Sequence, residues 1–317
     1  MKKFLAIVIA IMLIITACVF CACEGEELTM YVPDGAPALS VAKIINDGKV
    51  ANHKVTSVVT TGEDVVAKCA SGEADLAVLP TNAAVTICNK RDDYQIFSVN
   101  VYGVLYIVGT SHIESISELE GETLYSIGQA NTPEFVFKEI CERKSIDYSV
   151  ITINFQPDAS TIIPQILNGN AKFALIGEPA VTQLKNKAAS LGKSVEVLFD
   201  LQEEWQEATG SEQKGYPQAS LIVKKELLTD KFAAELMKSL TANKQFILSH
   251  CDQLNGIMRN AGSSLDLNYT SELLERCNLT AISASSAKAD VERYLSTFKA
   301  MANFLPLSDD IIYEAKD

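Results

Sequence analysis

The chain has 317 residues, 48% of them hydrophobic and 21% charged, and a net charge of −13. That length suggests about two domains, and the composition is that of an ordinary globular protein able to build a sizeable core. An acidic body without clustered Lys and Arg is a poor match for a phosphate backbone, so nucleic acid is not an expected partner.

The first element is MKKFLAIVIAIMLIITACVFCAC, residues 1–23. Lys2 and Lys3 precede an apolar run from Phe4 to Ile15, and Thr16-Ala17 then precede Cys18. Positive end, short apolar core and small residues before a cut are the order of a secretory signal. The cysteine directly after Thr16-Ala17 makes the segment resemble a bacterial lipoprotein signal. That resemblance implies cleavage after residue 17, lipidation of Cys18 and a membrane-tied mature protein; Cys23 is the second candidate. Losing Lys2 and Lys3 leaves a charge of about −15. The rival reading is an uncleaved anchor, for which Phe4–Phe20 is only just long enough against the ~20 apolar residues a span needs. Residues 18–27 are expected to be a tether, acidic from Glu24 onward.

The body alternates short apolar runs with helix-like stretches, which argues for an α/β fold. Strands are expected at Glu27–Val32, Val55–Thr60 and Leu76–Leu79, with helices at Pro37–Ile45 and Asp64–Ala70. Pro at the first turn suits the first of these helices. Tyr94–Gly109 is a β-branched and aromatic run suited to crossing between lobes. Strands follow at Thr123–Ile127, Ile151–Phe155 and Phe173–Ile176, with helices at Pro133–Arg143 and Thr161–Leu167; Pro164 lies inside the latter. Tyr216–Lys224 reads as a returning strand. From Asp230 to Leu305 the pattern is helical, including Phe232–Leu248 and Ala287–Phe304.

The second series repeats the first at an offset of 96–97 residues. Asp34-Gly35-Ala36-Pro37 corresponds to Ala130-Asn131-Thr132-Pro133, and Ser71–Leu79 (SGEADLAVL) to Asn168–Ile176 (NGNAKFALI). All βαβ units look somewhat alike, but two such series at one offset favour two similar lobes. The expected division is 28–108 plus 218–317 for lobe 1 and 109–217 for lobe 2.

The chain carries no G-x-S-x-G, H-E-x-x-H or P-loop motif. Its three histidines, His53, His112 and His250, are isolated in sequence. The body cysteines Cys69, Cys88, Cys141, Cys251 and Cys277 are odd in number and widely spaced, which suits buried single thiols rather than a disulfide framework. Cys21-Ala22-Cys23 lacks a second ligand pair for zinc, so no metal is expected. The strand-to-helix turns carry the signal instead. In an open α/β lobe, ligands bind beyond the carboxyl ends of the strands. There the chain places Pro33-Asp34-Gly35-Ala36, Thr60-Thr61-Gly62, Pro80-Thr81-Asn82, Gln129-Ala130-Asn131-Thr132, Gln156-Pro157-Asp158 and Gly177-Glu178-Pro179. Helix starts in such turns can hold a negative group without a basic side chain. Ordinary N-capping uses the same residue types.

The lipoprotein-type leader, Val32–Pro37 (VPDGAP), Ser71–Ala77 (SGEADLA), Leu119–Leu124 (LEGETL) and Gly177-Glu178-Pro179 together resemble the solute-binding proteins of ABC importers, in the nitrate/sulfonate/taurine and thiamine-precursor branch. The resemblance covers about residues 28–300 and implies a two-lobed type II periplasmic-binding fold, α/β in each lobe, with a C-terminal helical region. It implies a monomer, anchored outside the cytoplasm by lipid, that clamps a small solute, needs no cofactor, and serves a permease and its ATPase. The expected ligand contacts are Asp34, Gly35, Ala36, Thr61, Thr81, Asn82, Tyr102, Asn131, Thr132 and Glu178, with no catalytic residue. Glu178 facing the cleft would favour an amine or amidine, and Tyr102, Phe155, Trp205 and Tyr216 are candidates to stack on a ring. The chain departs from many relatives in carrying Lys172 where they have an acid. No Arg or Lys stands in the listed turns, which weighs against nitrate or a simple sulfonate. The alternatives are a same-fold enzyme of menaquinone or thiamine-pyrimidine biosynthesis and a sensory binding module without transport.

Overall fold

The computed structural model describes residues 25–129, 131–265, 267–299 and 305–315. The leader, Cys18 and Cys23 lie outside these residues, as does Ala130.

The first unit begins with β1 (Leu28–Pro33), α1 (Ala36–Leu39), α2 (Ala42–Asp47), β2 (Lys49–Val50) and β3 (His53–Thr60). It continues with α3 (Gly62–Ser71), β4 (Leu76–Pro80), α4 (Thr81–Lys90) and β5 (Tyr94–Val101). The chain then leaves this sheet. β6 (Leu105–Gly109), β7 (Thr123–Ser126), α5 (Thr132–Arg143), β8 (Thr152–Phe155), α6 (Ala159–Leu167), β9 (Phe173–Gly177), α7 (Ala180–Ser190), β10 (Glu196–Asp200) and α8 (Leu201–Thr209) form the second unit. It returns through β11 (Ala219–Lys224), and α9 (Asp230–Ser249), α10 (Leu254–Asn260), α11 (Ser271–Arg276), β12 (Leu279–Ser283) and α12 (Lys288–Ser296) follow.

The sheet orders are β12-β5-β11-β4-β1-β3-β2 and β10-β6-β9-β7-β8. β1 lies parallel to β3 and β4, as β7 does to β8 and β9. β11 runs antiparallel on β4 and β6 antiparallel on β9; β5 and β10 then complete the two sheets, each antiparallel to its neighbour. The same five-strand arrangement is therefore built twice. The repeated segments place Leu76 and Ala77 beside β1, and Phe173 and Ala174, 97 residues on, beside β7. Both central strands are buried on their two faces, which is why LAVL and FALI read as unbroken apolar runs. Helix ends follow from local chemistry. Thr61 accepts from the Asp64 amide at the start of α3 and Asp158 from the Thr161 amide at the start of α6, while Gly48, Gly72 and Gly210 close α2, α3 and α8 in the left-handed region.

Several expectations are corrected. The Tyr94–Gly109 run does cross from one sheet to the other as expected, but as two strands with the change at Tyr102-Gly103-Val104, so that β6 already pairs within the second sheet before residue 109. The expected Pro37–Ile45 helix is broken into α1 and α2. The region after Asp230 is not all helix: β12 adds an edge strand on β5, where only tertiary pairing gives a short LTAIS segment a ladder. α12 ends at Ser296, and the last residues of the helix expected to reach Phe304 lie outside the described ones. Cys69, Cys88, Cys141 and Cys277 are buried free thiols, and Cys251 is half-buried.

The units meet along a shared core. Trp205 and Tyr216 stand at 5.4 Å, Tyr216 stacks on Tyr294 at 5.7 Å, and Tyr294 meets Phe298 at 5.0 Å, which in turn meets Phe135 of α5. At the crossing, the buried Gln202 amide accepts from Leu105 N (2.9 Å) and donates to Leu105 O (3.0 Å), satisfying a strand end that has left its neighbours.

Candidate functional site

The carboxyl ends of β1 and β9 face one another across a cavity of about 500 Å³. On the first unit its wall is Asp34, Gly35, Ala36 and Pro37, joined by Ser264 and Leu265 from the loop after α10. On the second it is Ile127, Thr132, Pro133, Ala159, Glu178, Pro179, Ala180 and Gln183. Val104, Leu105, Gly177 and Gln218 form its floor at the crossings. Gly35 adopts φ 92°, ψ −141°, a conformation suited to glycine. A methyl group built there would stand 3.8 Å from Pro179 Cδ, so the two walls nearly touch at that point.

Each wall carries one carboxylate, and the protein's own donors take up both. One oxygen of Asp34 accepts from Gly35 N (2.9 Å) and Ser263 Oγ (2.6 Å); the other accepts from Ser264 N (2.9 Å) and Ser264 Oγ (3.1 Å). Glu178 has a wholly buried side chain, precedes a cis peptide bond to Pro179, and accepts from Thr182 N (3.2 Å) and Thr182 Oγ1 (3.1 Å). Its carboxylate also pairs with Arg276, whose guanidinium donates to Thr182 Oγ1 at 2.9 Å and pairs with Glu272. Arg276 ends α11, which is anchored by Leu273 and Leu274 in the first unit's core. The ion pair therefore joins the two units, with Lys185–Glu272 (3.1 Å) outside it.

Of the ten expected contacts, Asp34, Gly35, Ala36, Thr132 and Glu178 border the cavity. The other five do not. Thr61 caps α3, and Asn131, which is exposed, caps α5 by accepting from Thr132 N at 2.8 Å. Thr81 is buried with its hydroxyl 2.8 Å from Ser220 Oγ, and Asn82 holds a shielded Oδ1 without a partner among the described residues. Tyr102 is wholly buried at the crossing. Trp205 and Tyr216 belong to the core, and Phe155 is half-buried away from the cavity, so no ring-stacking platform borders it. Glu178 does reach the cleft, but Arg276 already neutralises it, which removes the expected preference for an amine. At three helix starts near the cleft a side chain takes one amide, Asn131 at α5, Asp158 at α6 and Glu178 at α7, whereas the single turn of α1 has no side-chain cap.

Sequence reasoning missed the hydrophobic floor, Gln183, Gln218 and Arg276. Thr132 Oγ1 is 2.9 Å from Tyr294 Oη, whereas the Gln183 and Gln218 side chains have no hydrogen bond among the described residues. No Lys, Arg, His or aromatic residue borders the cavity among the described residues. Burial pushes the Tyr216 and Tyr294 phenols and the Cys277 thiol up, so none supplies an acid or base near neutrality. Among the described residues no His/Cys/Asp/Glu group gathers to hold a metal, and no helix is long and apolar enough to cross a membrane.

Comparison with known proteins gives one family match, to the model described as Menaquinone biosynthesis, over residues 36–300. No curated protein matches in sequence. Among solved structures, an ABC transporter from Parabacteroides distasonis is 22% identical with a TM-score of 0.77, over 92% of this chain and 99% of that one. The periplasmic aliphatic sulphonate binding protein SsuA from Escherichia coli is 14% identical with a TM-score of 0.66, over 92% and 93%. The alkanesulfonate-binding protein SsuA from Xanthomonas axonopodis pv. citri bound to MOPS is 13% identical with a TM-score of 0.59, over 90% and 96%. At these identities the likeness is one of fold, the two-lobed type II periplasmic-binding architecture.

Proposed function

The chain belongs to the family described as Menaquinone biosynthesis, and from that premise we propose that this member binds and releases a small solute rather than transforming one. The observation that carries the reading is the state of the cleft's ionisable groups. A general acid or base must be within reach of a substrate proton and free to exchange it. Asp34 and Glu178 are the acidic residues at the wall, and each is bound on both oxygens by the protein. No histidine, cysteine or lysine borders the cavity among the described residues. An apolar cavity with a few placed polar groups is what small-molecule capture needs.

In this reading, the units built around the two sheets are lobes hinged at 102–104 and 210–218. A solute that contacts both lobes favours the closed state and shifts the population toward it. The Glu178–Arg276 pair and the Tyr294–Thr132 contact add to closure. The neighbours of like fold are described as an ABC transporter and as sulphonate-binding proteins, which supports placing this chain in an importer. The protein would then be held outside the cytoplasm by lipid on Cys18, as a monomer presenting both lobes to a permease and its ATPase.

A thermal-shift screen of a soluble form starting at Glu24 tests the reading. A ligand at about 100 times its dissociation constant adds ~2.7 kcal/mol of stability. A saturable shift with the compound recovered unchanged is expected. The second reading, an enzyme of menaquinone biosynthesis, is favoured by the family match itself; conversion of a bound compound by purified protein would establish it.

A further inference from the structure

The cavity's polar inventory narrows the solute class, an inference that rests on the solute-binding reading. Charge is used up inside the protein. Asp34 is held by four donors from the protein, and Glu178 by Thr182 and Arg276. An anion would meet no bordering cation among the described residues, starts of α5, α6 and α7 at which Asn131, Asp158 and Glu178 each take an amide, an uncapped α1 that is only a single turn, and a chain of net charge −13. A buried charge left without a partner is strongly disfavoured. An amine would find only carboxylates already committed to other donors.

Two polar side chains remain. Gln183 comes from α7 on one wall, and Gln218 from the floor at the crossing, just before β11. Neither makes a hydrogen bond among the described residues, and Gln218 Oε1 is shielded from solvent without a partner. Buried polar atoms are rarely left so, and each one calls for an explanation. A primary amide offers donors and an acceptor together. Its complement is a group that presents N–H and C=O side by side. Around these amides the surface is Val104, Leu105, Ile127 and Pro179, which suits an apolar body. The ~500 Å³ corresponds to roughly 17 waters of liquid volume, room for one substituted ring.

We propose that the cleft takes an uncharged solute bearing amide-, imide- or ureide-type edges, gripped by Gln183 from the wall of one lobe and Gln218 from the floor at the crossing between the lobes. Sulfonates, nitrate and amines are not its cargo.

Ligand-observed NMR on the purified full chain tests this with uracil, hydantoin and pyrrolidone as uncharged probes, methanesulfonate and nitrate as anions, and putrescine as a cation. Saturable binding is expected only in the uncharged set. Gln183→Leu and Gln218→Leu should each weaken it by roughly five- to tenfold, the worth of about one neutral hydrogen bond, with the unfolding midpoint kept. Gln183 is half-buried on a helix surface, so its variant serves even if Gln218→Leu does not fold. Tighter binding of an anion or of putrescine would overturn the class while leaving solute binding intact. Uncharged probes that bind both variants as well as the parent would overturn the two amides as contacts. Binding by none of the probes, from folded protein free of carried-over ligand, would overturn the class, and a separate failure in the wider thermal-shift screen would overturn solute binding itself.

Discussion

Replacing Arg276 with Met should destabilise the protein far more than the loss of an ordinary surface ion pair. The Glu178 side chain is 0% exposed and that of Arg276 is 16% exposed. Removing the guanidinium strands a carboxylate whose only other polar partners among the described residues are Thr182 N and Thr182 Oγ1. Breaking a buried pair from one side costs ~3–5 kcal/mol, because the remaining charge is left unpaired. At ~2 °C per kcal/mol for a chain of this size, the melting midpoint should fall by ~6–10 °C. Glu178→Gln added to Arg276→Met should recover much of the loss, since an amide needs no counter-ion and can still accept from Thr182. Urea unfolding of the two single variants and the double variant closes a thermodynamic cycle. A single-variant loss below ~1 kcal/mol, the range of exposed pairs, would refute the argument, as would a double variant no better than Arg276→Met.

Three further outcomes are expected. Gln202→Leu removes the side chain that satisfies both Leu105 N and Leu105 O; each stranded group costs ~1–3 kcal/mol, and hydrogen exchange at the Leu105 amide should quicken more than at the centre of β9. Burial pushes the Cys69 and Cys141 thiols up to about 12 and those of Cys88 and Cys277 up as well; in a form starting at Glu24, an aromatic disulfide reagent at mildly alkaline pH should reach these four only after denaturant is added, and rapid labelling of the native protein at any of them would contradict their burial. Burial likewise pushes the Tyr148 and Tyr269 phenols up to about 12 from 10.0; the folded state then keeps protons that the unfolded chain releases, so this stability is whole below pH 10.0 and is lost as pH rises toward 12, and phenolate absorbance should lag in native protein and catch up on unfolding.

The lobes were legible because their signals are local. Ser71–Leu79 and Asn168–Ile176 each spell a helix end, a turn and an apolar strand, and the structure sets the two strands beside β1 and β7, which hold equivalent places in the two sheets. The place where the chain changes sheet was not legible. Tyr94–Gly109 is a β-branched and aromatic run whose polar residues, Gln95, Ser98 and Asn100, lie before the break, and only Gly103, at φ 87°, marks it. β12 was hidden for another reason: LTAIS gains its ladder only from β5, far away in sequence. At the site, turn position found Asp34–Ala36, Thr132 and Glu178, since ligands and turns share the strand ends. It could not separate capping from binding, as Thr61 and Asn131 demonstrate. Nor could it foresee that Arg276, 98 residues from Glu178, would neutralise the one acid at the cleft with an evident preference for amines. Gln183 and Gln218 sit in a helix and beside a strand with no motif around them; what singles them out is that they border the cavity with side chains that make no hydrogen bond among the described residues.

The most direct test of the central claim is equilibrium binding paired with product analysis. The protein would be saturated with an uncharged amide probe that gives a thermal shift, incubated long enough for many turnovers, then denatured and its ligand recovered. The account predicts one bound molecule per chain, returned chemically unchanged. A recovered compound altered in structure, in amounts exceeding the protein, would contradict it and make this chain an enzyme.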